Sequence, residues 1–381
     1  MAQLVFVHIG TPKCQGEYAE KMGSWRFTGE QMLHWEWLRQ DVARACRLEP
    51  KGSSRGATRI REHIQSHCMP LAASGCGRHI QKFAKSCAFA VQAARAKIPS
   101  VAGTVDPAKY LKGGKLREFC HQEDWVLKVE PPGRPQACHL IDHQQEHLLR
   151  LRLLESGAAV LVRSSLVPRD DHGCLITSGF FGVTHSASFD RLILDRRPYN
   201  HGEKRIGWLR LPLGCMLGRA VLTRGTSIRG SGYDLSTYFT QLKEHESGIL
   251  RNVVGREFPG DEYSAFGAHE HERYVIALST IGMGDSNAVD IAECTHLEIL
   301  DDAHALNHAG LLQWGDDFPR SRVLQGIYID DGAVVGIVPT EQLREEGPDT
   351  ELVRKSLGAL EGAQVEIAWH KNFGGAKKSW R

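Results

Sequence analysis

The chain has 381 residues, 41% hydrophobic and 24% charged, a balance that suits a globular protein of two or three subdomains and excludes a disordered or fibrous one. No stretch approaches the roughly 18 apolar residues of a membrane span, and the first apolar run is too short for a signal peptide. A soluble intracellular protein, of cytoplasm or nucleus, is therefore expected.

The net charge of +2 hides an asymmetry. Residues 1–150 carry a net +8 and residues 151–381 a net −6, while residues 51–100 hold 9 basic residues against one acid, Glu62. A localised basic surface suits a polyanion, and a solvated basic helix accounts for it equally well. The ten cysteines form no CxxC pair, which fits reduced thiols better than a disulfide framework.

Helical patterns are expected over 29–47, 59–65 and 79–97, with loops at GSSRG (52–56) and PPGRP (131–135). Two groups raise zinc: His63, His67, Cys68, Cys76 and His79, then Cys138, His139, His143 and His147. Structural zinc takes four convergent N/S ligands, usually with paired spacing, so structural or surface histidines are the better expectation. A helix follows over 143–155, with Leu148, Leu151 and Leu154 on one side and Gly157 just past its end. Residues 158–162 read as a strand and 168–171 as a turn.

RLILDRRPYN (191–200) gives a short strand, 192–194, that begins on Arg191. An Arg there can grip phosphate oxygens bidentately or simply pair with a neighbouring Asp. In GYDLSTYFTQL (232–242), Asp234 reads as a helix N-cap or as a carboxylate ligand. After a strand over 274–278, IGMGDSNA (281–288) leads into a helix through about 306. Val289, Ala292, Ile299 and Ala303 would face the core there, and Asp290, Glu293 and Glu298 the solvent. Gly282 and Gly284 would admit a nucleotide or template strand close to the backbone; a plain strand-to-helix turn predicts much the same residues.

VLQGIYIDDGAVVGIV (323–338) is the most pointed stretch. Two β-type runs meet at Asp330-Asp331, where hairpins normally use Gly or Asn. Adjacent carboxylates repel, so a cation is expected there, and hard oxygen ligands suit Mg²⁺. A helix over 350–360 and a strand over 364–369 lead to Lys371 and a basic tail.

In this order the segments resemble the fingers-palm core of retroelement-type reverse transcriptases, over about residues 145–375. Tyr328-Ile329-Asp330-Asp331 is similar to the YxDD box. Asp234 in DLSTYF is similar to the first palm motif, and Phe239 falls where that family sets an aromatic ring against the nucleotide sugar. RLILDRRPYN resembles the fingers pattern R-x-x-x-D-x-R-x-x-N, which makes Arg191 the triphosphate residue. IGMGDSNA resembles the template-contacting turn, though it lacks the Pro and Gln common there, and no lysine stands between Phe180 and Arg191.

The resemblance implies an α+β fold: a right-hand fingers-palm with an antiparallel, ferredoxin-like palm sheet packed on helices, ending before a thumb. Residues 1–140 would be a basic extension, 141–233 fingers, 234–375 palm with an insertion near 244–273, and 376–381 a tail. It implies RNA-directed DNA polymerase activity with two Mg²⁺ (or Mn²⁺) held by Asp234, Asp330 and Asp331. Lys371 would protonate the leaving pyrophosphate, and Arg191, Phe239, Leu235, Gly284 and Tyr328 would contact the nucleotide. The partners would be an RNA template, a DNA primer, deoxynucleoside triphosphates and, left open, a chain supplying a thumb. The competing expectations are an inactive remnant that binds nucleic acid and an RNA-dependent RNA polymerase, which the bulk of Phe239 disfavours.

Overall fold

A computed structural model describes residues 88–374. The helical patterns at 29–47 and 59–65, the His63–His79 group, most of the basic stretch and the 376–381 tail lie outside the described residues.

Among the described residues, eight strands and four longer helices make up the fold. The strands are β1 (Ala159–Arg163), β2 (Gly179–Thr184), β3 (Asp190–Asp195), β4 (Thr226–Asp234), β5 (Val253–Pro259), β6 (Arg273–Leu278), β7 (Val323–Tyr328) and β8 (Asp331–Pro339). The helices are α1 (Gly113–Cys120), α2 (His143–Glu155), α3 (Ala288–Asp302) and α4 (Pro348–Gly362). All strand pairs are antiparallel, in three sheets ordered β1-β6-β5, β2-β3 and β4-β8-β7. The architecture is mixed helix and antiparallel sheet.

The central strand β6 shows why sequence becomes structure here. Flanked on both edges, its run from Tyr274 to Leu278 is buried throughout, as a central strand covered on both faces must be. Helix α2 starts where the Asp142 side chain accepts from the Gln145 amide at 2.8 Å, and Gly157 beyond its end adopts φ +73°. Of the expected Leu148, Leu151, Leu154 row, Leu151 and Leu154 pack half-buried against the core. Leu149 and Leu153 face the core together with Glu146 and Arg150, and Leu148 is exposed.

Three further expectations change. Over the described part of 79–97 there is no long helix, only a 3₁₀ turn at Ala93–Arg95, with Phe89 bridging Gly182 on β2. Among the described residues before 141, Val105, Leu111, Phe119 and Trp125 enter the same core as α3 and α4. Each fully buried aromatic there contributes about 2–3 kcal/mol of burial.

The third concerns the sheet carrying the carboxylates, which has three strands among the described residues, whereas a ferredoxin-like core has four. The segment expected as its last strand only bridges the free edge of β4, at Leu235–Ile367 and Gly232–Phe373. Gln364 at φ +61° and the turn at Trp369–Lys371 break its extension at both ends.

Helix α3 is buried on nearly all sides, because sheet β4-β8-β7, α4 and the 105–125 segment enclose it. Its expected polar face is therefore inside. Asp290 accepts from the Trp208 and Leu209 amides at 2.6 and 3.2 Å, so its burial is matched by donors.

Candidate active site

The β4–β8 register places Asp234 directly opposite Asp331, and Tyr328 pairs with Asp331 on the other side. The hairpin closes in two residues, Ile329 and Asp330. That register brings the carboxylates separated by almost a hundred positions to one end of one sheet. The Leu235 amide donates to the Asp330 carbonyl at 2.9 Å and the Ala368 amide to the Asp234 carbonyl at 2.8 Å, pinning both backbones. Asp234 ends a strand and caps no helix.

Lys371 comes from the 3₁₀ turn beside the edge of β4, and its Nζ bonds both Asp234 carboxylate oxygens at 2.6 and 2.8 Å. Three carboxylates in one place are electrostatically costly. Burial raises the Asp330 pKa, and Asp234 adds to this against the opposing pull of Lys371 and Arg191. Asp331 is pushed up to about 6, first by burial, then by Asp330 and Asp234, and it lies close enough to Asp234 to share a proton.

Arg191 stands exposed on β3, its guanidinium 3.5 Å from His185 Nδ1. Burial, then the positive charges of Arg191, Lys97 and Lys371, lower the His185 pKa. A set of cations thus faces the carboxylates. The rest of the RLILDRRPYN segment is structural. Asp195 binds the Arg197 guanidinium and accepts from the Cys138 amide, Arg196 is buried against Glu203 and Asp285, and Asn200 donates to the Gly284 carbonyl at 2.8 Å.

Other expected site residues take different places. Leu235 turns its side chain into the core, and its amide donates to the Asp330 carbonyl and so supports the hairpin. Gly284 has φ +129°, and a Cβ there would lie 2.1 Å from the Leu194 carbonyl oxygen. The close approach that requires this glycine is therefore strand β3 itself. Phe239, in the one-turn helix Tyr238–Gln241, packs half-buried against the main core. Tyr328 is exposed beside the carboxylates.

The hairpin turn holds residues that sequence reading did not single out. Ile329 adopts φ +61°, a left-handed backbone that is strained for a β-branched residue by ~1–3 kcal/mol. Its amide donates to Glu293 Oε2 at 2.6 Å and its carbonyl accepts from His296 Nδ1 at 2.9 Å. His296 Nε2 lies 3.1 Å from the Tyr233 hydroxyl.

The donor chemistry of Asp234, Asp330 and Asp331 fits a hard divalent cation, with all-oxygen ligands and excess negative charge. Among the described residues no three His, Cys, Asp or Glu side chains already stand in metal-holding geometry, and Asp234 is instead paired with Lys371. From the second histidine group, His139 sits 3.2 Å from Glu146, and His147 contacts Tyr263 and Glu262 at 2.9 and 3.2 Å. No helix among the described residues is long and apolar enough to cross a membrane.

No family model matches the chain, nor does any curated protein. Among solved structures, it is similar to a foamy viral protease-reverse transcriptase in complex with double-stranded DNA, at 15% identity and TM-score 0.39, covering 70% of this chain and 42% of that one. The native prototype foamy virus protease-reverse transcriptase gives 14% and 0.41, over 66% and 27% of the two chains. The foamy viral enzyme with an RNA/DNA hybrid gives 15% and 0.39, over 65% and 27%. The chain thus spans less than half the length of these proteins. At these identities and TM-scores the likeness assigns neither a fold nor any residue.

Proposed function

We propose that this chain is a nucleotidyltransferase of the RNA-directed DNA polymerase kind, with Asp234, Asp330 and Asp331 at its centre. The observation that carries the reading is the strand register that sets Asp234 against Asp331 beside the Asp330 turn, facing Arg191 and Lys371. Such a set, carboxylates on one side and cations on the other, fits a triphosphate and the ions that accompany it.

The three carboxylates would hold Mg²⁺, which when bound lowers the pKa of a 3′-hydroxyl and neutralises charge on a triphosphate. Arg191 projects from a rigid strand and would bind phosphate oxygens through its planar fork. Lys371, on leaving Asp234, carries a proton within reach of a departing pyrophosphate. RNA template, DNA primer and deoxynucleoside triphosphates are the substrates of this reading. Template-directed incorporation of deoxynucleotides with Mg²⁺, lost in Asp330→Asn, tests it.

One observation favours a second reading. The Lys371 ammonium already neutralises Asp234 through both oxygens, as a closed structural ion pair would. In that case the chain binds nucleic acid without incorporating nucleotides, and Lys371→Met leaves it equally inactive.

A further inference from the structure

The geometry points to Glu293, His296 and Tyr233 as a positioning unit that holds the carboxylate hairpin in its strained turn. The inference rests on the nucleotidyl-transfer reading only for its catalytic consequence; the clamp itself is a matter of geometry.

Glu293 and His296 lie one turn apart on α3, on the side that meets the hairpin. They take the two polar groups of a single residue, the amide and the carbonyl of Ile329. Both side chains are almost wholly buried, so neither bond has water as a substitute. Burial pushes His296 down to about 4, which keeps the ring neutral near pH 7. A neutral ring that donates through Nδ1 to Ile329 must accept at Nε2, so the Tyr233 hydroxyl is the donor to it. Tyr233 is the residue before Asp234, and its ring fills the space where a Cβ of Gly332 would stand, 2.1 Å away. One chain of contacts therefore runs from the β4 carboxylate strand through α3 to the turn between β7 and β8.

The strain explains why a clamp is needed. An isoleucine at φ +61° relaxes to an ordinary turn once its bonds to α3 are lost, and Asp330, the next residue, moves with it. Glu293 and His296 do not touch substrate; they act through Ile329.

The test uses the full chain and four variants: Glu293→Gln, Glu293→Leu, Ile329→Gly and the Ile329→Gly/Glu293→Leu double. Hydrogen exchange of the hairpin peptide is read beside Mn²⁺ affinity and the kcat and KM of nucleotide incorporation. Glu293→Gln keeps an acceptor oxygen and should resemble wild type. Glu293→Leu should deprotect the turn and lower kcat and Mn²⁺ affinity about 10- to 100-fold, with KM for nucleotide little changed. In the Ile329→Gly background, where φ +61° is unstrained, the same Leu substitution should cost much less. Should Glu293→Leu fail to fold, the double variant should fold. Unchanged exchange in a folded Glu293→Leu, or no relief from Ile329→Gly, overturns the clamp. If wild type neither binds Mn²⁺ nor incorporates nucleotide, the transferase reading falls while the exchange result still decides the clamp.

Discussion

Lys371 holds Asp234 by both carboxylate oxygens, at 2.6 and 2.8 Å, in the place where the sequence leads one to expect a metal ion. An ammonium and a divalent cation compete for the same oxygens. Lys371→Met should therefore raise Mn²⁺ affinity, by about fivefold for one half-exposed charge at contact distance, while nucleotide incorporation falls. Titration by electron paramagnetic resonance reads the affinity. Weaker Mn²⁺ binding in the variant would show that Lys371 organises Asp234 for the ion instead of excluding it.

Gly332 stands where a Cβ would meet the Tyr233 ring at 2.1 Å, with Tyr233 buried and bonded to His296. Gly332→Ala must push the ring or split the β4–β8 pair, so a loss of ~1–3 kcal/mol is expected from urea unfolding. An unchanged midpoint would mean that the ring moves freely, which the Tyr233–His296 bond argues against.

That pair also shows what was legible in the sequence and what was not. The Asp330-Asp331 hairpin stood out because adjacent carboxylates in a tight turn defy local preference, and its strands formed as expected. Asp234 became a partner only through the order of several motifs, since one Asp after a glycine looks like a cap. Glu293 was assigned to solvent, because periodicity puts charged residues outside, and His296 was not singled out at all. Enclosure of α3 on nearly all sides defeats that rule, and only the tertiary fold supplies it. Residues 88–140 were opaque for a different reason. Apart from the short helix α1, which buries only Phe119, they enter the core through 3₁₀ turns and isolated bridges, which leave little period of 2 or 3.6 to detect.

Glu146 gives a prediction in pH. Burial acts to raise its pKa, but the His139 bond, the Arg256 amide and the Arg150 charge outweigh it and hold the carboxyl at about 2, against 4.5 unperturbed. A group with a depressed folded pKa stabilises the protein above its unfolded value and loses that contribution as pH falls through the folded one. The contribution is ~3 kcal/mol, to order of magnitude. Between pH 4.5 and 2 the wild type should thus lose stability more steeply than Glu146→Gln. Unfolding midpoints across that range with equal slopes would contradict the assignment.

The measurement closest to the central claim is primer extension on an RNA template with deoxynucleoside triphosphates and Mg²⁺, comparing wild type with Asp330→Asn. Removing a carboxyl whose pKa is already raised by burial and by Asp234 should not destabilise the fold, so thermal stability should hold. The account predicts extension by the wild type and none by the folded variant. Extension that persists in Asp330→Asn, or a wild type that binds the primer-template yet adds no nucleotide, would contradict it.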